Sequence, residues 1–157
     1  MRIVIVGCGR VGATLARILA VEGHHIAVVD ERKEAFRRLG ATFPGETVLG
    51  NGIDIDVLRR AGVERADGFA ATTNGDNRNI MSAQIAKVKF KVPLVIARIY
   101  DPLRATLYHD LGIETVNPTT VGSGMIRDFL LNEAPKPVNQ YLELVERLED
   151  RADRKER

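Results

Sequence analysis

The stretch VIVGCGRVGATLARIL, Val4 to Leu19, constrains the fold more than any other part of the chain. The β-branched run Ile3–Val6 leads straight into Gly7, and Val11, Leu15, Ile18 and Leu19 then recur on one helical face. Between the two lie Gly7, Gly9 and Gly12 in a G-x-G-x-x-G array. Gly7 lets the chain turn sharply off the strand, Gly9 lets the backbone approach a pyrophosphate, and Gly12 lets the helix pack tightly on the sheet. The first-turn amides and the positive end of the helix dipole then face a phosphate. Asp30 closes the next strand-like run eighteen residues beyond Gly12, about the separation this fingerprint requires. A carboxylate there accepts hydrogen bonds from ribose hydroxyls and repels a 2′-phosphate, which favours NAD(H) or an adenosine phosphate over NADP. Arg32 and Lys33 follow it and would tolerate a 2′-phosphate, or they are a solvated basic helix start.

The same alternation continues along the chain. Strand runs are expected at Ile26–Asp30, Thr47–Leu49, Gly68–Thr72, Leu94–Ile99 and Ile113–Val116. Helices are expected at Lys33–Leu39, at Ile55–Ala61 capped by Asp54, at Asp76–Lys87, and from Asp101-Pro102 onward. Near-continuous apolar strands alternating with helices specify a parallel sheet covered on both faces. The fold class is therefore α/β, a Rossmann-like doubly wound six-stranded parallel sheet, with a ligand crevice beyond the carboxyl ends of its strands. Residues 1–118 form that nucleotide-binding domain. Residues 119–133 form a C-terminal crossover helix, with Val121, Met125 and Phe129 on one stripe and Ile126 and Leu130 on a second. One stripe fits against the chain's own domain, and the other calls for a second subunit or for a place deep in this same domain. Residues 134–157 are a linker, Ala134-Pro135-Lys136-Pro137, and a charged helical tail with Tyr141, Leu142, Val145 and Leu148 on one face.

Further polar residues fall on the crevice rim. Gly50-Asn51-Gly52 makes a tight turn after the third strand, where a base would lie. Thr72, Thr73, Asn74 and Asp76 follow the fourth strand, suited to phosphate or ribose, although Asn74 or Asp76 would equally cap the next helix. Arg98 ends the fifth strand among Val95, Ile96, Ala97 and Ile99, and a charge so placed needs a phosphate or an acidic neighbour.

Other functions find little footing. A net charge of +2 is too small to argue for nucleic acid, and no apolar stretch approaches the length of a membrane helix. The single cysteine, Cys8, excludes an intramolecular disulfide framework and reads as a small residue filling the glycine loop. His24 and His25 diverge on a strand, His109 is isolated, and no zinc spacing occurs. No catalytic constellation and no substrate domain can be identified. The rival readings are an NAD-dependent oxidoreductase, or a subunit of one, and an interaction module with a permanent structural nucleotide.

VIVGCGRVGATLARIL, VVDERKE, LGNGIDIDVLRRAGVERADGFAATTNGDNRNIMSAQIAKV and VIARIYDP together resemble the regulatory nucleotide-binding domain of Trk/Ktr-type potassium transport systems, the RCK or KTN domain. The resemblance runs from Met1 to about Leu131. It implies a non-enzymatic cytosolic subunit at the inner face of the membrane that binds NAD(H) or ATP, ADP or AMP and gates a membrane potassium-transport subunit. It also implies a homodimer or higher ring, with the helix after the sixth strand crossing to a partner. The implied ligand positions are the Gly7/Gly9/Gly12 loop, Asp30, the Gly50-Asn51 turn, Thr73 and Arg98. Two positions depart from the family pattern: Asn51 stands where many members have an acid, and Thr119 follows Pro118 where an acid is common. Only about two dozen residues follow the last matched helix, and the C-terminal sensing domain of full-length regulators is not among them. The full candidate set is Gly7, Cys8, Gly9, Arg10, Val11 and Gly12; Asp30, Glu31 and Arg32; Asn51 and Gly52; Thr72, Thr73, Asn74, Asp76 and Asn79; and Arg98.

Overall fold

A computed structural model describes residues 1–102, 104, 108 and 112–143. Six strands form one parallel sheet: β1 (Arg2–Val6), β2 (His25–Asp30), β3 (Glu46–Leu49), β4 (Gly68–Ala71), β5 (Leu94–Arg98) and β6 (Glu114–Val116), in the order β3-β2-β1-β4-β5-β6. This is the doubly wound arrangement expected from the alternating pattern, with its switch point between β1 and β4.

Side-chain alternation explains why the central strands read as unbroken apolar runs. Val4, Val6, Val29, Phe69 and Ala71 point to one face. There they meet helix α2 (Ile55–Arg60) through Val57 and Leu58, and α3 (Asp76–Gln84) through Ile80 and Ala83. Ile5, Val28 and Ala70 point to the other face, against Ala13 and Ala16 of α1 (Arg10–Val21) and Ala35 and Leu39 of the 3₁₀ helix Lys33–Leu39. The central strands β1, β2 and β4 bury both faces along most of their length, which leaves little room there for a polar residue before the strand ends, whereas β3, β5 and β6 keep exposed positions.

Local signals set the helix ends. Asp54 caps α2, its Oδ1 accepting from the Asp56 and Val57 amides at 2.8 and 3.4 Å. The helix expected over Asp76–Lys87 changes character: α3 stops at Gln84 and a π turn carries Ile85–Lys89, bringing Phe90 onto the core. The helix expected from Asp101-Pro102 falls mostly outside the described residues.

The helix after β6, α4 (Pro118–Leu130), opens on Asn117, whose side chain accepts from the Thr120 amide. Its burial differs from the sequence expectation. Neither apolar stripe is covered: Met125, Ile126, Phe129 and Leu130 are all exposed. The buried stripe is Thr120, Gly124 and Asp128, and the chain's own next segment folds back over it. Gly124 leaves room for the Tyr141 ring, which a methyl group there would overlap. Tyr141 Oη donates to Asp128 Oδ2 at 2.9 Å and accepts from the Lys136 amide at 2.7 Å. Burial raises the Asp128 pKa, but hydrogen bonds from Tyr141, Arg127 and Lys136 outweigh it and hold the carboxyl below its ordinary value. The charged helical tail, with Val145 and Leu148, lies outside the described residues.

Replacing Gly124 with Ala should displace Tyr141 and speed amide hydrogen exchange over residues 136–143 about tenfold or more, as expected for overpacking a close contact. Gly122→Ala, where no neighbour lies within 4 Å, should leave that exchange unchanged.

Candidate functional site

The register places the ends of β1, β2 and β4 level with one another, since Val6 pairs with both Val29 and Ala71. The loops that leave these ends converge on one cleft of about 540 Å³. Gly7 takes φ +99°, a left-handed conformation that side chains rarely tolerate, and its amide donates to Val29 O at 2.7 Å. Gly12 lies so close beneath that a methyl group on it would overlap the Gly7 carbonyl oxygen. Thr72 locks this corner, its hydroxyl donating to Gly7 O at 3.0 Å and Val6 O at 3.2 Å. Gly9 begins α1 without any side-chain cap on the first-turn amides, and it lines the cleft.

Asp30 is almost buried and does two things at once. Its Oδ2 accepts from the Cys8 amide at 2.7 Å, which fixes the glycine loop, and its Oδ1 accepts from the Arg32 amide at 2.9 Å. The carboxylate still lines the cleft. Opposite, Thr73 is organised by Asn79, which is fully buried: Asn79 Oδ1 accepts from the Thr73 amide and hydroxyl at 2.8 and 2.7 Å. Asn79 Nδ2 donates to Thr73 O at 3.0 Å and to Arg98 O at 2.8 Å. Arg98 Nη2 donates to the same Thr73 carbonyl at 2.6 Å, and its guanidinium lies 4.6 Å from the Tyr100 ring centre. Its Nε is buried with no partner. The charge expected to need a phosphate or an acidic neighbour has no acidic partner among the described residues and is held by a carbonyl and an aromatic face.

Of the residues expected at the site, Gly7, Gly9, Arg10, Val11, Asp30, Glu31, Arg32, Gly52, Thr72, Thr73, Asn74 and Arg98 line the cleft. Cys8, Gly12, Asn51, Asp76 and Asn79 do not. Cys8 is buried behind the loop, with Sγ donating to Ala35 O at 3.3 Å. Asn51 turns inward to accept from the Ile53 amide. Asp76 neither caps α3 nor faces the cleft, because its carboxylate accepts from the Tyr100 and Asp101 amides at 2.9 and 3.1 Å. Gly12 and Asn79 act from beneath, as packing and as scaffold.

Arg38, Arg78 and Tyr100 line the cleft and escaped the sequence reading. Arg78 is in the first turn of α3, beside the rim residues, and that position was the available signal. Tyr100 lies two residues beyond Arg98. Arg38 sits on a short helix whose pattern gives no such hint. With them the cleft carries five arginines, Arg10, Arg32, Arg38, Arg78 and Arg98, against two carboxylates, Asp30 and Glu31. That surplus of positive charge suits a polyanion, and Asp30 beside it suits a sugar hydroxyl.

Among the described residues no group of His, Cys, Asp and Glu is placed to hold a metal ion, and His109 lies outside them. No helix among them is long and apolar enough to cross a membrane.

The family model described as the TrkA-N domain matches residues 3–118. The Trk system potassium uptake protein TrkA of Streptomyces coelicolor is 54% identical over 116 residues, which are 74% of this chain and 52% of that protein. The chain spans about half the length of several curated relatives it matches and under a quarter of others. Among solved structures, the Shewanella denitrificans Kef CTD in AMP-bound form superposes with a TM-score of 0.73 at 19% identity, covering 97% of this chain and 95% of that one. GsuK bound to ADP gives a TM-score of 0.70 at 24% identity over 82% of this chain and 33% of that one. The GsuK channel bound to NAD gives 0.66 at 25% identity over 80% and 22%.

Burial, then the nearby Asp30 charge, pushes the Cys8 thiol up to about 11. At pH 8 the folded protein should therefore resist iodoacetamide, while the urea-unfolded chain alkylates readily, a contrast read by mass spectrometry.

Proposed function

The chain belongs to the TrkA-N domain family, and from that membership we propose that it is a regulatory, non-catalytic module that binds an adenine nucleotide and gates a potassium uptake transporter or channel. The observation that carries this reading is the cleft itself. An uncapped helix start, a fixed carboxylate at the end of β2 and five arginines converge on one cavity. A pyrophosphate or phosphate lies over Gly9, with its ribose hydroxyls at Asp30 and its charge shared among the arginines. AMP, ADP and NAD are the ligands named for structurally similar proteins, and they suit the same pieces.

Regulation needs ligands that distinguish two arrangements of the protein. Those arrangements belong to an assembly of copies. Residues 119–133 are its oligomerisation helix, since α4 presents Met125, Ile126, Phe129 and Leu130 to its surroundings. Leu94 and Ile96 of β5 and Val116 of β6 are likewise exposed, an apolar sheet face beside the cleft that a partner's helix can cover. Nucleotides of different length and charge favour different spacings of the paired domains, and a membrane-embedded potassium subunit reads that spacing from the cytosolic side.

Calorimetry with NAD, NADH, ATP, ADP and AMP tests the site. At least one should bind, and Asp30→Ala should weaken it about tenfold or more, the usual loss for a hydrogen bond to a charged group. No binding, or equal binding by the variant, would sink the assignment. For the assembly, sedimentation analysis should find a dimer or larger species that Phe129→Glu converts toward monomer, because burying an unpaired carboxylate in an apolar contact is costly. A monomeric wild-type protein would remove α4 from this role.

A further inference from the structure

We propose that the ion pair between Glu31 and Arg78 is a strap across the nucleotide cleft that sets the preference among nucleotides by phosphate charge, an inference that rests on the nucleotide-binding function proposed above. Glu31 follows the last residue of β2, and Arg78 lies in the first turn of α3. Strands β2 and β4 flank β1, so a link from the end of β2 to the helix after β4 crosses over the glycine loop that ends β1. Arg78 Nη1 donates to Glu31 Oε2 at 3.2 Å, and both residues line the cleft.

The pair is built to be exchanged. Its two side chains remain 43% and 40% exposed, and an ion pair that exposed contributes little and is screened by salt. A phosphate offers Arg78 a stronger, charge-assisted and bidentate partner. A ligand carrying two or three phosphates at the glycine loop brings charge within reach of Arg78 and draws it off Glu31. A monophosphate held against the α1 amides leaves the strap closed. Glu31, once released from Arg78, stands as a carboxylate beside the anion and opposes the same ligand. The two residues thus act with opposite sign on one quantity, the gain in affinity per added phosphate.

Calorimetric titration of AMP, ADP and ATP into wild type, Arg78→Gln and Glu31→Gln tests this. Arg78→Gln should weaken ADP and ATP about tenfold relative to AMP, the loss expected for one charge-assisted contact. Glu31→Gln should tighten ADP and ATP relative to AMP. Arg78→Lys, which keeps the charge but not the fork, should fall between wild type and Arg78→Gln, and it serves as the second variant if Arg78→Gln folds poorly. Wild-type binding with shifts equal across the three nucleotides, or with no shifts, overturns the strap alone. Failure of wild type to bind any of the three overturns the nucleotide reading and the strap with it.

Discussion

The structure turns on one close approach, that of α1 to the end of β1. Gly12 sits under the Gly7 carbonyl with no room for a methyl group, and the Thr72 hydroxyl bonds that carbonyl from the β4 side. Three elements meet at this corner, and their agreement fixes where α1 starts and where its first amides aim. If α1 stood a methyl's width further away, its first-turn amides would be drawn back from the cleft that Gly9 lines. Packing and binding geometry are therefore one constraint at this corner. A glycine within a helix is destabilising in itself, and at Gly12 the close contact it permits offsets that cost.

The fold was legible because its signals are local and repeated. Apolar strand, glycine or aspartate, then amphipathic helix recurs down the chain, and few architectures accept that order. The positions of Gly7, Asp30 and Thr72 at strand ends followed from the same pattern, because a strand buried on both faces ends where its first polar residue appears. What a polar residue does beyond that end was not legible. Asp76 and Asn74 are both polar and both follow β4, yet Asn74 lines the cleft and Asp76 binds the amides after β5. The choice depends on where β5 ends in space, which sequence spacing does not report. Arg38 and Arg78 were hidden for the same reason: an arginine on a helix surface looks solvated until another element is placed opposite it.

In α4 the covered face follows a different rule. Its apolar stripes were visible, and so was their demand for cover. The stripe that the chain itself covers is not apolar at all, but Thr120, Gly124 and Asp128. The sequence pattern assigns no role to Gly124 or Asp128. They are the seat of Tyr141, which needs space for a ring and an acceptor for a hydroxyl. Periodicity ranks faces by hydrophobicity, whereas this face was chosen by shape and hydrogen bonding. The apolar stripes are left free as a result, and the helix is available to a second chain without first being peeled from its own.

Asp30 has a consequence of another kind. Both of its oxygens are already held by backbone amides, those of Cys8 and Arg32. The carboxylate would not have to swing into place for the proposed ribose, because folding has already oriented it and its ordering entropy is lost before any ligand arrives. Its spare lone pairs are presented at fixed angles, so under the nucleotide function proposed above it would select sugars by where their hydroxyls stand. For the proposed nucleotide this would make occupancy follow concentration without waiting for the cleft to assemble.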